Sequence, residues 1–219
     1  DIGIGMFADF GVFILALIAG FLPTFFGQKK IMKVADAKPL EIIYTVTQAD
    51  YQNTLKKITH FLAKADEVEK LELLLDAKDL NALLAYEPLT PFWRGRFQAT
   101  IKDGLIEGPM SVHLPERMRK DGKEYFNSYG YFEAVMKKDK PCLQFKTLKH
   151  KGEEIELDIV YTFTDVNLFE YLRYNEQFQE DFSPVLNAME KVKNFSITED
   201  NKLSIRNWVD KREVKHSPK

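Results

Sequence analysis

A lone cysteine, Cys142, excludes an intramolecular disulfide framework, and with no His or Asn close to it in sequence it does not read as a nucleophile. Histidine is scarce as well. His60, His113, His150 and His216 are scattered, with no partner at metal-ligand spacing, so no metal site is expected and each reads as solvated or structurally bonded. Of these only His113, on the polar face of a predicted strand beside Ser111, could be sheltered. Neither GxxxxGK nor GxGxxG occurs, which removes the loops that cradle phosphates. An excess of one charge is missing too: 31 Lys and Arg against 33 Asp and Glu, a net charge of -2, argue against a nucleic-acid partner. Glu153, Glu154, Glu156 and Asp158 intersperse with Ile155, Leu157 and Ile159, the pattern of a half-exposed strand rather than an acid/base pair. No catalytic residue, cofactor or metal is expected, and the chain reads as non-enzymatic.

Against these absences stands one charge-free run, FGVFILALIAGFLPTFF at 10–26, bounded by Asp9 and by Lys29, Lys30 and Lys33. A helix over 10–27 rises about 27 Å at ~1.5 Å per residue, close to the ~30 Å hydrocarbon core of a bilayer. A cleaved signal peptide has a shorter apolar centre and a small-residue cleavage site, which Thr24-Phe25-Phe26 matches poorly. A buried core helix would show polar positions at helical spacing, and the run shows none. The reading is a single-pass membrane anchor over 1–33, with Pro23 near its carboxyl end. Gly11, Ala16, Ala19 and Gly20 give it small positions, and Ala16 and Gly20, four apart, share a face on which another membrane helix could pack closely. Integral membrane proteins and lipids are therefore the expected partners. The lysines after the run favour a cytoplasmic domain, but the positive-inside comparison needs both flanks, so cytoplasmic and periplasmic placement stay open.

Residues 34–209 suit one soluble domain, followed by a polar tail at 210–219. Strand and helix signals alternate along it. A β-branched and aromatic segment at 41–47 reads as a strand. Thr47 and Asp50 then form a capping-box pattern ahead of an amphipathic helix at 50–65, whose Lys56, Lys57 and Lys64 read as a solvated face. A short strand at 70–75 leads to a helix capped by Asp76. Asp103-Gly104 marks a hairpin between 96–102 and 105–114. A long strand at 123–136 carries Tyr125, Phe126, Tyr129, Tyr131 and Phe132, which populate both of its faces. Strands follow at 143–148 and, after a turn at Lys151-Gly152, at 155–163, then helices at 165–178 and 184–193, and a closing hairpin turns at Asp200-Asn201. Arg117, Arg119, Lys120 and Lys123 make a basic loop that reads as a solvated turn, or as a headgroup contact if it lies near a bilayer. The class is α+β, an N-terminal transmembrane helix followed by a mainly antiparallel sheet packed with several helices.

Four segments, LELLLDAKDLNALLA at 71–85, IKDGLIEGPMSVHLP at 101–115, YFNSYGYFEAV at 125–135 and FSITEDNKLSI at 195–205, carry a resemblance to a group of uncharacterised bacterial membrane-anchored proteins. A looser likeness extends to the tubular lipid-binding-like proteins. It covers most of 70–207 and consists of patterning, so it brings no catalytic residue. It implies a strongly bent sheet around a helix, with an apolar groove to which Phe126, Tyr129, Phe132 and Phe163 would contribute. Two functions follow as expectations: an accessory or scaffold subunit of a membrane protein complex, or a membrane-tethered lipid or apolar-ligand binding protein.

Overall fold

Local signals near the start of the fold form as their residues dictate. The computed structural model describes residues 35–86, 94–114, 116, 119, 121–137, 139–155 and 190–209. After β1 (Ala35–Asp36), helix α1 (Gln48–Lys64) begins at the expected capping box: Thr47 Oγ1 accepts from Asp50 N while Asp50 accepts from Thr47 N. It buries Tyr51, Thr54, Ile58, Phe61 and Leu62 along one stripe. Strand β2 (Glu72–Leu75) turns Leu73 and Leu75 inward and leads into α2 (Ala77–Tyr86). Asp76 and Asp79 each accept the other's backbone N–H at 2.9–3.0 Å, closing that N-terminus reciprocally. The two helices are cross-tied as well. Lys57 Nζ lies 2.7 Å from the buried Asp79 carboxylate, so this lysine is not simply part of a solvated face, and Thr54 Oγ1 donates to Asp79 too.

The described strands form two antiparallel sheets where one was expected. The larger runs β3 (Thr100–Lys102), β4 (Leu105–His113), β5 (Tyr125–Lys137), β6 (Lys140–His150) and β7 (Glu153–Ile155), with β1 paired to the start of β5. The smaller places β2 beside β9 (Leu203–Arg206) and β8 (Asn194–Ile197) beyond it. Three turns predicted from sequence are present. Asp103 and Gly104 take φ of 51° and 75°, Lys151 and Gly152 take 51° and 88°, and Asn201 takes 56°. The class is α+β with mainly antiparallel sheets and, among the described residues, two helices.

Along β5 the alternation is simpler than its aromatic density predicts. Phe126, Ser128, Gly130 and Phe132 face inward, whereas Tyr125, Tyr129 and Tyr131 are half-exposed on the other face. The phenylalanines go to the core and the tyrosines, which carry a hydroxyl, go outward. Phe132 meets Phe97 edge-on at 5.5 Å, in a core shared with Ile106, Met110, Leu148 and Phe195. The β5–β6 hairpin lies against β8, so the two sheets share that core.

The segment 41–47 is not a strand. Its side chains alternate as a strand's would, with Ile42, Tyr44 and Val46 half-buried, but it joins no ladder. The edge it would pair with is already closed by side chains. Tyr44 Oη donates to Phe97 O at 2.6 Å and accepts from Gly95 N, and burial, the largest influence, pushes this phenol up to about 12. Asn81 of α2 completes the closure, with its amide exchanging two 2.8 Å bonds with the backbone of Ala99. The expected strand 96–102 is itself interrupted: Phe97 bridges Met110, but only Thr100–Lys102 forms a regular ladder. Gln98 N donates to Pro109 O, yet Pro109 has no N–H to return. The Gln98 carbonyl leans instead over Gly108, where an added Cβ would come within 1.7 Å of its oxygen.

Among the described residues no helix is long and apolar enough to cross a membrane. The run at 10–26 lies outside them, as do 156–189, with the expected helix at 165–178, and the tail.

Candidate functional site

Among the described residues, a dense set of long-range polar contacts forms where residues 36–40 cross the outer face of the large sheet. Ser111 of β4 and Asn127 of β5 are register partners, both turned away from the core. At an uncovered outward position such residues would be wet, yet both are buried, because 36–40 lies over them. Asn127 uses all of its amide. Nδ2 donates to Lys38 O at 2.8 Å and to Asp36 Oδ2 at 3.2 Å, while Oδ1 accepts from Ser111 Oγ at 2.7 Å and from Leu40 N at 3.3 Å. Ser111 Oγ accepts from Leu40 N in turn, at 3.2 Å.

The next layer comes from the β6–β7 turn. Lys151, held at positive φ, reaches back so that Nζ lies 2.7 Å from Asp36 Oδ1. His150 donates from Nδ1 to the Asn127 carbonyl at 2.7 Å, with Asp36 Oδ2 4.0 Å away. Burial is the largest single influence on the Asp36 carboxyl and raises its pKa. The hydrogen bond and charge of Lys151, the charge of His150 and the Asn127 bond together outweigh it, leaving the group below its ordinary 3.8. Below the clamp, Glu124 N donates to Asp36 O at 2.9 Å, and β1 pairs Ala35 with Phe126 and Asp36 with Tyr125.

This arrangement holds rather than reacts. A serine nucleophile needs a base to take its proton, and the acceptor on Ser111 is an amide oxygen with no useful basicity. His150 has its Nδ1–H committed to a carbonyl. The site is a polar clamp that fixes the first described segment of the chain to the sheet.

Two further clusters flank it. At the β4–β5 end, His113 lies 3.4 Å from Glu124 and 3.3 Å from the Arg119 guanidinium, whose Nε donates to Leu114 O. His113 is thus half-exposed and stacked at 4.9 Å on Tyr125, not sheltered. Farther along the outer face Tyr129 and Tyr131 lie 5.2 Å apart, Lys149 Nζ sits 5.1 Å over the Tyr131 ring, and Tyr129 Oη bonds Glu107.

The residues expected to line a groove are not brought together as a set. Phe126 and Phe132 are in the core, Tyr129 is on the opposite face of the same strand, and Phe163 lies outside the described residues. Gly11, Ala16, Ala19 and Gly20 lie outside them as well. Sequence reasoning passed over Asn127, and it took His150 only as solvated or structurally bonded, the second of which it is. The one available signal was the break that Asn127 makes in the outward series Tyr125, Tyr129, Tyr131. Among the described residues no group of His, Cys, Asp and Glu could hold a metal ion. Comparison of the chain with family models, curated proteins and solved structures finds no match.

Proposed function

We propose that this chain is a non-enzymatic, single-pass membrane protein, an accessory or scaffold subunit of a larger membrane complex, whose α+β domain is fixed in orientation relative to its own anchor. The observation that carries this reading is the clamp. It acts on residues 36–40, directly after the charge-flanked apolar run at 10–26 and its three lysines. A domain that merely had to stay near a membrane would need only a flexible linker. Burying Asn127 and Ser111 under the emerging chain serves a domain that must present one face to a neighbour in the same membrane. The half-exposed Tyr129 and Tyr131 on the clamped face supply a surface of the kind protein interfaces favour, large amphipathic rings with little conformational entropy to lose. Small positions in the run, Ala16 and Gly20, supply the matching contact within the bilayer.

The lipid-carrier reading draws less support, since Phe126 and Phe132, which were to line its groove, are packed into the core beside Phe97. Native mass measurement of the full chain after detergent extraction tests the proposal. An assembly retaining other membrane polypeptides is expected, and a clean monomer without companions would contradict it.

A further inference from the structure

We infer that the clamp also works between molecules: two copies exchange their straps, residues 35–40 of each docking on Asn127, Ser111 and Lys151 of the other. The inference goes beyond the proposed function, because it needs no membrane and assigns a second copy of this chain as a partner. What the site recognises is the first observation. Asn127 reads the strap through its main chain, donating to Lys38 O and accepting from Leu40 N, and Ser111 Oγ accepts from Leu40 N as well. Asp36 adds an ion pair with Lys151 at 2.7 Å. With the β1 pairs and the Glu124 N–H bond to Asp36 O, these contacts all fall within residues 35–40, so the strap is a complete ligand in itself. A second copy offers the same ligand, and exchange keeps the clamp geometry.

Detachment is the second observation. Residues 37–40 are exposed, and the one buried apolar group that leaves with the strap is the methyl of Ala35. Polar contacts that water can replace hold such a segment lightly. A hinge is present as well. Glu41 and Ile42 stand between the last clamp bond, at Leu40 N, and the next fixed points, Ile43 O on Gln98 Nε2 and the Tyr44 hydroxyl on Phe97 O. Neither makes a hydrogen bond among the described residues. In an exchanged pair every clamp bond is replaced by its equal, so the cost of association is set against whatever new surface the hinges bury. Segment 41–47 has the composition of a strand yet joins no ladder, and it carries Ile43, at 62% the most exposed large apolar side chain among the described residues. Exchange brings the two hinges side by side. With Ile43 opposite its own copy in antiparallel pairing, Glu41 falls opposite Thr45, so no like charges meet and both isoleucines leave water.

The test uses two full-length variants produced together in one cell and treated with a water-soluble carbodiimide, which condenses a carboxylate and a contacting amine into an amide. One variant carries Asp36→Asn and keeps Lys151; the other carries Lys151→Gln and keeps Asp36. Neither can form the Asp36–Lys151 link within itself or with its own kind, but the intact strap of one fits the intact site of the other. Together they should give a covalent dimer whose linked peptides join Asp36 to Lys151, several-fold above either variant alone. Asn127→Ala in the Asp36→Asn chain should lower the yield several-fold, and so should Ile43→Lys in both chains, which sets two like charges against each other. The parent chain, treated alike, should also form the Asp36–Lys151 link. That link in the parent with no Asp36–Lys151 dimer from the pair overturns the exchange. An Ile43→Lys pair that yields as much dimer as the unaltered pair overturns the hinge contact. Absence of the link from the parent would instead contradict the clamp, and the proposed function with it.

Discussion

Asn127 ties residues 36–40 to the large sheet, whereas Asn207 ties the turn between α1 and β2 to the small one, and the surroundings of the two knots differ. Asn207 Nδ2 donates to Ala65 O and Val68 O at 2.8 and 2.7 Å, and its Oδ1 accepts from Leu71 N at 2.7 Å. Around it Phe61, Leu62, Leu73, Leu203 and Ile205 are buried, so that turn is already held by apolar packing. The strap at 37–40 is exposed at every residue and brings almost no apolar surface to the fold. Its position depends on Asn127, Ser111 and Lys151. One knot finishes a core, and the other places a segment that hydrophobic burial would leave loose. Polar bonds contribute little net free energy to a domain but fix geometry sharply, which is the use made of them at the strap.

The most severe way to break this comparison is Gly108→Ala. The new methyl would meet the Gln98 carbonyl, a backbone group that cannot step aside, and the β3–β4 edge beneath the core would have to move. A loss of about 4 kcal/mol is expected in denaturant unfolding, enough to obscure any distinction between the two knots. Asn207→Ala should cost about 2 kcal/mol in the same measurement, since three backbone groups of the cooperative core lose partners. Asn127→Ala should cost about 1 kcal/mol globally while releasing the strap, because water can reach the freed groups once 36–40 lifts away. Equal losses of stability with the strap still in place would erase the contrast.

Acid gives the smallest effect and the finest test. The Asp36 carboxyl is held below 3.8, so its contribution to the clamp is fully present above that value and is lost as pH falls through the lower, folded-state value. Amide exchange within 36–40 should therefore accelerate below about pH 3.8, beyond the intrinsic pH dependence, while the Leu71 amide, bonded to an uncharged Asn207, keeps its protection. Asp36→Asn should remove the difference.

Much of this fold is legible locally. The Thr47 and Asp76 caps, the Asp103-Gly104 and Lys151-Gly152 turns and the 195–205 hairpin each depend on residues a few positions apart, where turn and cap chemistry decides. The division into two sheets is not legible in that way, because β2 finds β9 some 130 residues later, through Glu72 bonded to Ser204 and Arg206. Segment 41–47 has the composition of a strand and fails to be one because Tyr44 and Asn81 occupy the edge it would need. The clamp was hidden for the same reason as β2–β9. Asn127 looks like an interruption in an aromatic strand until the register sets it opposite Ser111 and beneath Lys38 and Leu40.

Whether the chain leaving the apolar run is fixed to the domain is read most directly from one amide. The Leu40 N–H bonds Ser111 Oγ and Asn127 Oδ1 in an otherwise exposed segment, so in the full chain in detergent it should exchange slowly. In Asn127→Ala it should exchange close to the unfolded rate, while the Leu71 amide stays slow. A Leu40 amide that already exchanges at the unfolded rate in the parent protein would contradict the clamp, and with it the fixed orientation on which the proposed role rests.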